Sequence, residues 1–152
     1  MEAAVVRAAD LGDVEEITPM YEWLFAPPGS RPPSWDPQRA TEALRRTVAS
    51  ESAVVLVATL HGRLVGLCTA YDDMESVRYG RRVWVEDLAV HPEHRSQGIG
   101  KLLLDEAKRW AGARGANRLQ LTSADARADA HRFYEREGAA LRSISFGWEL
   151  GR

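Results

Sequence analysis

The segment Val83-Trp-Val-Glu-Asp-Leu-Ala-Val-His-Pro-Glu-His-Arg-Ser-Gln-Gly-Ile-Gly-Lys101 constrains the fold more than any other stretch of this chain. It starts as an apolar strand, turns at His91-Pro92, and passes through two glycines into a long helix. That helix is predicted from residue 98 to about 113. Ile99, Leu103, Ala107, Trp110 and Ala111 share one face, while Lys101, Asp105 and Lys108 face away. Another apolar run at 117–122 and a second helical pattern at 126–137, stopped by Gly138, follow it. A strand–helix–strand–helix succession of this kind makes an α/β domain.

A turn that runs straight from a strand into a helix leaves several backbone N–H groups at the helix start without intrahelical partners. Together with the helix dipole they form an anion site suited to a pyrophosphate. Gly98 and Gly100 let a ligand approach that backbone. An ordinary strand-to-helix turn is the plain reading of one Gly-x-Gly. A dinucleotide fingerprint fits badly, because it requires G-x-G-x-x-G after the first strand of a parallel sheet. Here Lys-Leu-Leu follows the second glycine, two-thirds of the way along the chain.

Composition excludes several classes. The 20 basic and 22 acidic side chains leave a formal net charge of −2, without the basic excess of a protein held on nucleic acid through phosphates. No nucleic-acid partner is expected. The single cysteine, Cys68, lies in an apolar run and reads as a core residue, and no His/Cys/Asp/Glu set has metal-ligand spacing. No metal is expected. The N-terminal stretch is too acidic and too briefly apolar for a signal peptide, and no run is long enough to span a bilayer. The expectation is a cytoplasmic protein with no membrane partner. At 152 residues the chain is expected to form one domain over 1–152.

The remaining elements read as follows. A short strand is predicted at 3–7, then a helix over 11–24 capped by Asp10, with Leu11, Val14, Ile17 and Tyr21 on one face. Residues 26–36 carry four prolines and a glycine and are read as an ordered loop or a mobile flap. Asp36-Pro37 opens a helix to about Ser50. Strands at 53–60 and 63–71 form a hairpin across His61-Gly62, a third strand covers 81–90, and one or two closing strands are predicted over 140–150.

Arg95-Ser-Gln-Gly-Ile-Gly100 resembles the R/Q-x-x-G-x-G/A acetyl-CoA loop of the GNAT N-acetyltransferase superfamily, and Leu88-Ala-Val-His-Pro92 resembles the strand ending before it. Arg127-Ala-Asp-Ala-His-Arg-Phe-Tyr-Glu-Arg-Glu-Gly138 is similar to the later A-x-x-F-Y-E-x-x-G helix of that superfamily. Glu86-Asp87-Leu88, Gly138-Ala139 and Trp148 look most like its diamine and polyamine acetyltransferase branch. Ser96 stands where glycine is usual, Ala139 where most members have phenylalanine, and Arg127 where many have asparagine. The resemblance implies a mixed, mostly antiparallel sheet of about six to seven strands flanked by about four helices. It also admits a homodimer.

The same resemblance implies acetyl-CoA as co-substrate and a small-molecule amine as acceptor. The N–H groups of Gln97, Gly98, Ile99, Gly100 and Lys101 would hold the pyrophosphate, with Ser96 in the loop and Arg95 adding charge. Backbone groups of Leu88, Ala89 and Val90 would pair with the pantetheine arm as an added strand. A primary ammonium keeps its proton at neutral pH, so a base must take it, and Glu86 is the candidate. Strict alternation sends Glu86 and Asp87 to opposite faces, unless a bulge re-aims one. Asp87 then either binds the amine or pairs with a basic neighbour. Tyr134 is implied as general acid toward the departing thiolate; spacing alone makes it a packing aromatic beside Ala126, Ala130 and Phe133. The 26–36 loop and Asp72-Asp-Met-Glu75 are expected to frame the acceptor. The alternatives to transfer onto a small amine are a non-catalytic acetyl-CoA-binding module and transfer onto a protein or peptide amine.

Overall fold

The hairpin across His61-Gly62 sets the centre of the sheet. Both turn residues adopt positive φ (51° and 74°), the geometry that lets a two-residue turn follow the twist of its strands. It joins β2 (Ala53–Leu60) to β3 (Arg63–Asp72), whose apolar runs are buried on both faces. In the computed structural model, which describes residues 2–151, β1 (Val5–Ala8), β2, β3, β4 (Arg82–Val90) and β5 (Arg118–Leu121) form one sheet in chain order. The first three pairings are antiparallel and β4–β5 is parallel. A parallel pair needs a long crossover, and the helix after the two glycines supplies it.

The helices are α1 (Val14–Ile17), α2 (Glu22–Phe25), α3 (Pro37–Ala49), α4 (Ile99–Ala113) and α5 (Ala128–Arg136). On one face of the sheet, Ile99, Leu103, Ala107 and Ala111 of α4 pack with Leu56, Cys68, Ala70, Val83 and Val85. Leu104, outside the predicted stripe, is buried as well. α4 lies so close to β3 that a Cβ on Gly66 would sit 2.9 Å from Leu103 Cδ1. On the other face Val14, Ile17, Met20 and Leu44 pack with Val55, Val57, Leu67 and Ala89. Burial pushes the Cys68 thiol up to about 12, so it is an inert core group, as its apolar run predicts.

Three expectations need correction. The helix predicted over 11–24 is a chain of short pieces: a 3₁₀ turn at Leu11–Asp13, α1, a 3₁₀ turn at Thr18–Tyr21, and α2. Pro19 lacks an N–H and its ring crowds the preceding turn, so the α-helix stops there. The tighter 3₁₀ winding rotates the apolar stripe. Met20 enters the core, while Leu11 is 58% exposed. The Asp10 cap does form, accepting from Gly12 N at 2.8 Å while Asp13 accepts from Asp10 N at 2.8 Å.

The second correction is the strand count, five among the described residues rather than six or seven. The third explains it: residues 139–151 contain no strand. The chain divides into two compact units, one to Leu121 and one from Thr122. The second holds α5 and the C-terminal segment, where Ile144, Phe146, Trp148 and Leu150 alternate but are exposed. Alternation prepares a segment for pairing, but a strand exists only through a ladder, and that unit contains no second strand among its described residues. Among the described residues no helix is long and apolar enough to cross a membrane.

Candidate active site

A bulge in β4 decides where its carboxylates point. In the β3–β4 ladder Ala70 faces Val85 and Thr69 faces Asp87, so Glu86 is the extra, unpaired residue. Before it, Val83 and Val85 belong to the core under α4; after it, Ala89 belongs to the opposite core while Leu88 and Val90 pack toward α4. The alternation has slipped by one residue at Glu86. Glu86 and Asp87, sent to opposite faces by strict alternation, therefore line one cavity of about 500 Å³ together with Tyr21, Trp35, Arg39 and Tyr71.

The two acids are held differently. Asp87 Oδ2 accepts from Tyr21 OH at 2.7 Å and from Thr69 Oγ1 at 2.8 Å, while Thr69 Oγ1 accepts from Asp87 N at 3.1 Å. Its partners are hydroxyls, so the alternative of a basic neighbour does not describe it. Burial, reinforced by the Asp87 charge, holds the Tyr21 phenol protonated well above its ordinary range. Glu86 makes no hydrogen bond or ion pair among the described residues. Partial burial first, and the Asp87 charge second, raise its carboxyl above the usual range. A raised carboxyl in a cleft, beside a second one pinned by donors, is the arrangement of a base with a fixed electrostatic neighbour.

Sequence reasoning missed Tyr21, Thr69, Tyr71 and Arg39 as members of this cavity, while Trp35 belongs to the 26–36 loop expected to frame the acceptor. Tyr21 shows only as an apolar-face residue, and Thr69 carries no signal at all. The one available hint is Trp35, a large aromatic placed among prolines. Its ring stacks on Tyr21 (centroids 5.8 Å apart, planes at 27°) and meets Phe25 edge-on at 4.8 Å. These contacts anchor the Trp35 end of the 26–36 segment. The other expected frame fails. Asp72 pairs with Arg114 and Arg81, and Asp73 accepts from Trp84 Nε1 at 2.9 Å and pairs with Arg82. These acids bind the first unit's own side chains and do not line the cavity.

Downstream of the bulge the outer edge of β4 opens. β5 pairs only with Arg82–Val85, so from Glu86 to Val90 that edge carries no strand among the described residues. Leu88, Ala89 and Val90 pair with β3 on their inner side alone. The chain then makes a 3₁₀ turn at Pro92–His94 and reaches α4 through Ser96 (φ 61°) and Gly98 (φ 82°). The left-handed conformation at Gly98 is what requires glycine there; a Cβ would meet nothing within 4 Å. Ser96 holds a similar angle without that freedom. No side chain among the described residues caps α4, and its first bond runs from Leu102 N to Gly98 O at 3.1 Å. The N–H groups of Ile99 and Gly100 thus stand at an open helix start, beside exposed Gln97 and Gly98, while the Ile99 side chain anchors the turn in the core.

Arg95, expected to add charge to this loop, donates from Nε to Val90 O at 3.2 Å and from a terminal nitrogen to Trp23 O at 3.5 Å. It ties the loop to the end of β4 and to α2. Lys101 pairs with Asp105 at 3.1 Å. Tyr134 belongs to the second unit, half-buried on α5, its ring centroid 5.5 Å from that of Phe133. That helix ends at Gly138 (φ 89°), as predicted.

The profile of the acetyltransferase (GNAT) family matches residues 17–139. The uncharacterized N-acetyltransferase YhdJ of Bacillus subtilis (strain 168) is 30% identical over 136 residues, 88% of this chain and 95% of YhdJ. A ribosomal-protein-alanine N-acetyltransferase from Brucella melitensis biovar Abortus 2308 superposes with a TM-score of 0.77 at 25% identity, covering 98% of this chain and 100% of that one. The aminoglycoside N-acetyltransferase AAC(6')-Iy, in complex with CoA, superposes with a TM-score of 0.85 over 97% of this chain and 95% of its own. At 14% identity that likeness is one of fold.

Proposed function

This chain belongs to the acetyltransferase (GNAT) family, and from that premise we propose that it moves the acetyl group of acetyl-CoA onto a small primary amine by direct attack on the thioester. The observation that carries the reading is the bulge at Glu86, which brings a raised carboxyl and a hydroxyl-pinned one into a single cavity of about 500 Å³. A cleft of this size, lined by aromatic rings and two carboxylates, suits the ammonium group of a small molecule.

The start of α4 fits a pyrophosphate: it lacks a side-chain cap among the described residues, and the space before Gly98 is clear. Acetyl-CoA, when bound, supplies a thioester with an electrophilic carbonyl carbon. The N–H groups from Gln97 to Lys101 hold the phosphates, and the free edge of Leu88–Val90 offers backbone groups to the pantetheine arm. Asp87, a fixed charge, orients the ammonium. Glu86 takes its proton, and the free amine attacks. As the N–C bond forms and the C–S bond breaks, Tyr134 gives a proton to the departing sulfur. The second amine proton restores the phenol through solvent, so the net reaction releases one proton.

The test is calorimetric titration with acetyl-CoA, followed by thiol release across a panel of small primary amines. Micromolar binding and release that depends on an amine are expected. Absence of binding, or release indifferent to every amine, overturns the proposal.

A further inference from the structure

The same cavity carries a cation. Arg39 lines it from α3 and forms no ion pair among the described residues; its one hydrogen bond runs from a terminal nitrogen to Ser34 O at 3.1 Å. Neither Glu86 nor Asp87 comes within ion-pair distance of it. Asp87 is occupied by Tyr21 and Thr69, and Glu86 stands alone. Opposite charges that share a cleft without neutralising each other each gain from a partner brought in by a ligand. Besides Arg39, α3 turns small side chains into the cleft, among them Ala40, Ala43 and Thr47. Their spread from Arg39 to Thr47 covers about 12 Å of helix, room for an extended aliphatic body.

We infer that the acceptor is an amino carboxylate, with its primary amine taken by Glu86 and Asp87 and its carboxylate by the Arg39 guanidinium. This rests on reading the cavity as the acceptor site. A guanidinium meets a carboxylate through two parallel hydrogen bonds, which a neutral tail does not offer. A diamine or a polycationic sugar brings a second ammonium against Arg39 and is repelled. The selection therefore lies on α3, away from the carboxylates that serve the chemistry.

The experiment compares kcat/KM, by thiol release with saturating acetyl-CoA, for δ-aminovalerate, n-pentylamine and cadaverine, which share one chain length. The wild type should prefer δ-aminovalerate over n-pentylamine by about tenfold or more, with cadaverine last. Arg39→Ala should bring the δ-aminovalerate to n-pentylamine ratio to about one, and Arg39→Glu should put cadaverine first. Arg39 is exposed, so thermal melting of both variants should match the wild type. Cadaverine equal to δ-aminovalerate in the wild type, or an order unmoved by Arg39→Glu, overturns the inference while leaving amine acetylation standing. No release with any amine removes both.

Discussion

Replacing Glu86 with glutamine separates catalysis from stability in opposite directions. The side chain keeps its size but accepts no proton and carries no charge. Its carboxyl is raised because the charged form is partly desolvated and faces the Asp87 charge. A carboxyl whose folded pKa lies above its unfolded value stabilises the fold only while protonated; that contribution is lost as pH rises through the folded pKa. At neutral pH the ionised Glu86 is therefore a small burden, and Glu86→Gln relieves it. The residue is exposed to the cleft, and solvent screening limits the gain to below about 1 kcal/mol, no more than about 2–4 °C in Tm for a chain of this size. Below the ordinary glutamate range, where Glu86 is protonated, the gain disappears. Activity goes the other way: kcat/KM at neutral pH should fall by about 10²–10⁴-fold. High pH should partly restore it, because solution then deprotonates the amine. The groups facing Glu86 are Asp87, Tyr71, Tyr21 and Arg39. The wild-type acid limb should accordingly lie above the ordinary carboxylate range. The assays are thiol release against pH and thermal melting at neutral and acid pH, with acetyl-CoA affinity measured alongside. A variant with the wild-type rate and pH profile, or one destabilised at neutral pH, refutes the reasoning.

Tyr134→Phe removes only a hydroxyl; kcat should fall by about 10²–10⁴-fold, and unchanged turnover would return this ring to packing. Gly98→Trp forces a left-handed φ on a side chain and sets an indole over the helix start; calorimetry should register at least about a tenfold loss of acetyl-CoA affinity, beyond a backbone cost of about 1–2 kcal/mol seen in denaturant titration. Ser96→Gly relieves the left-handed angle at the other loop position and should raise stability by up to about 1 kcal/mol, with a lowered denaturation midpoint speaking against strain at that residue.

The features legible in the sequence are those enforced within a few residues. Asp36 caps α3 by accepting from Gln38 N at 3.0 Å, and Pro37 occupies the position where a missing N–H costs nothing. His61-Gly62 closes the hairpin, and Ile99, Leu103, Ala107 and Ala111 meet the sheet as their spacing requires. The glycine loop before α4 and the aromatic block of α5 carry the family resemblance for the same reason, since short motifs encode local backbone geometry. What only the tertiary structure decided depends on pairing between distant segments. The slip at Glu86 is a property of the β3–β4 register, and it alone turns Asp87 onto the face where Tyr21, 66 residues earlier, donates to it. Trp35, in the loop before α3, and Arg39, on α3, become cleft residues because α3 packs against β2 there. At 140–150 alternation anticipates a strand, yet a ladder requires a second backbone, and no local pattern specifies which one is within reach.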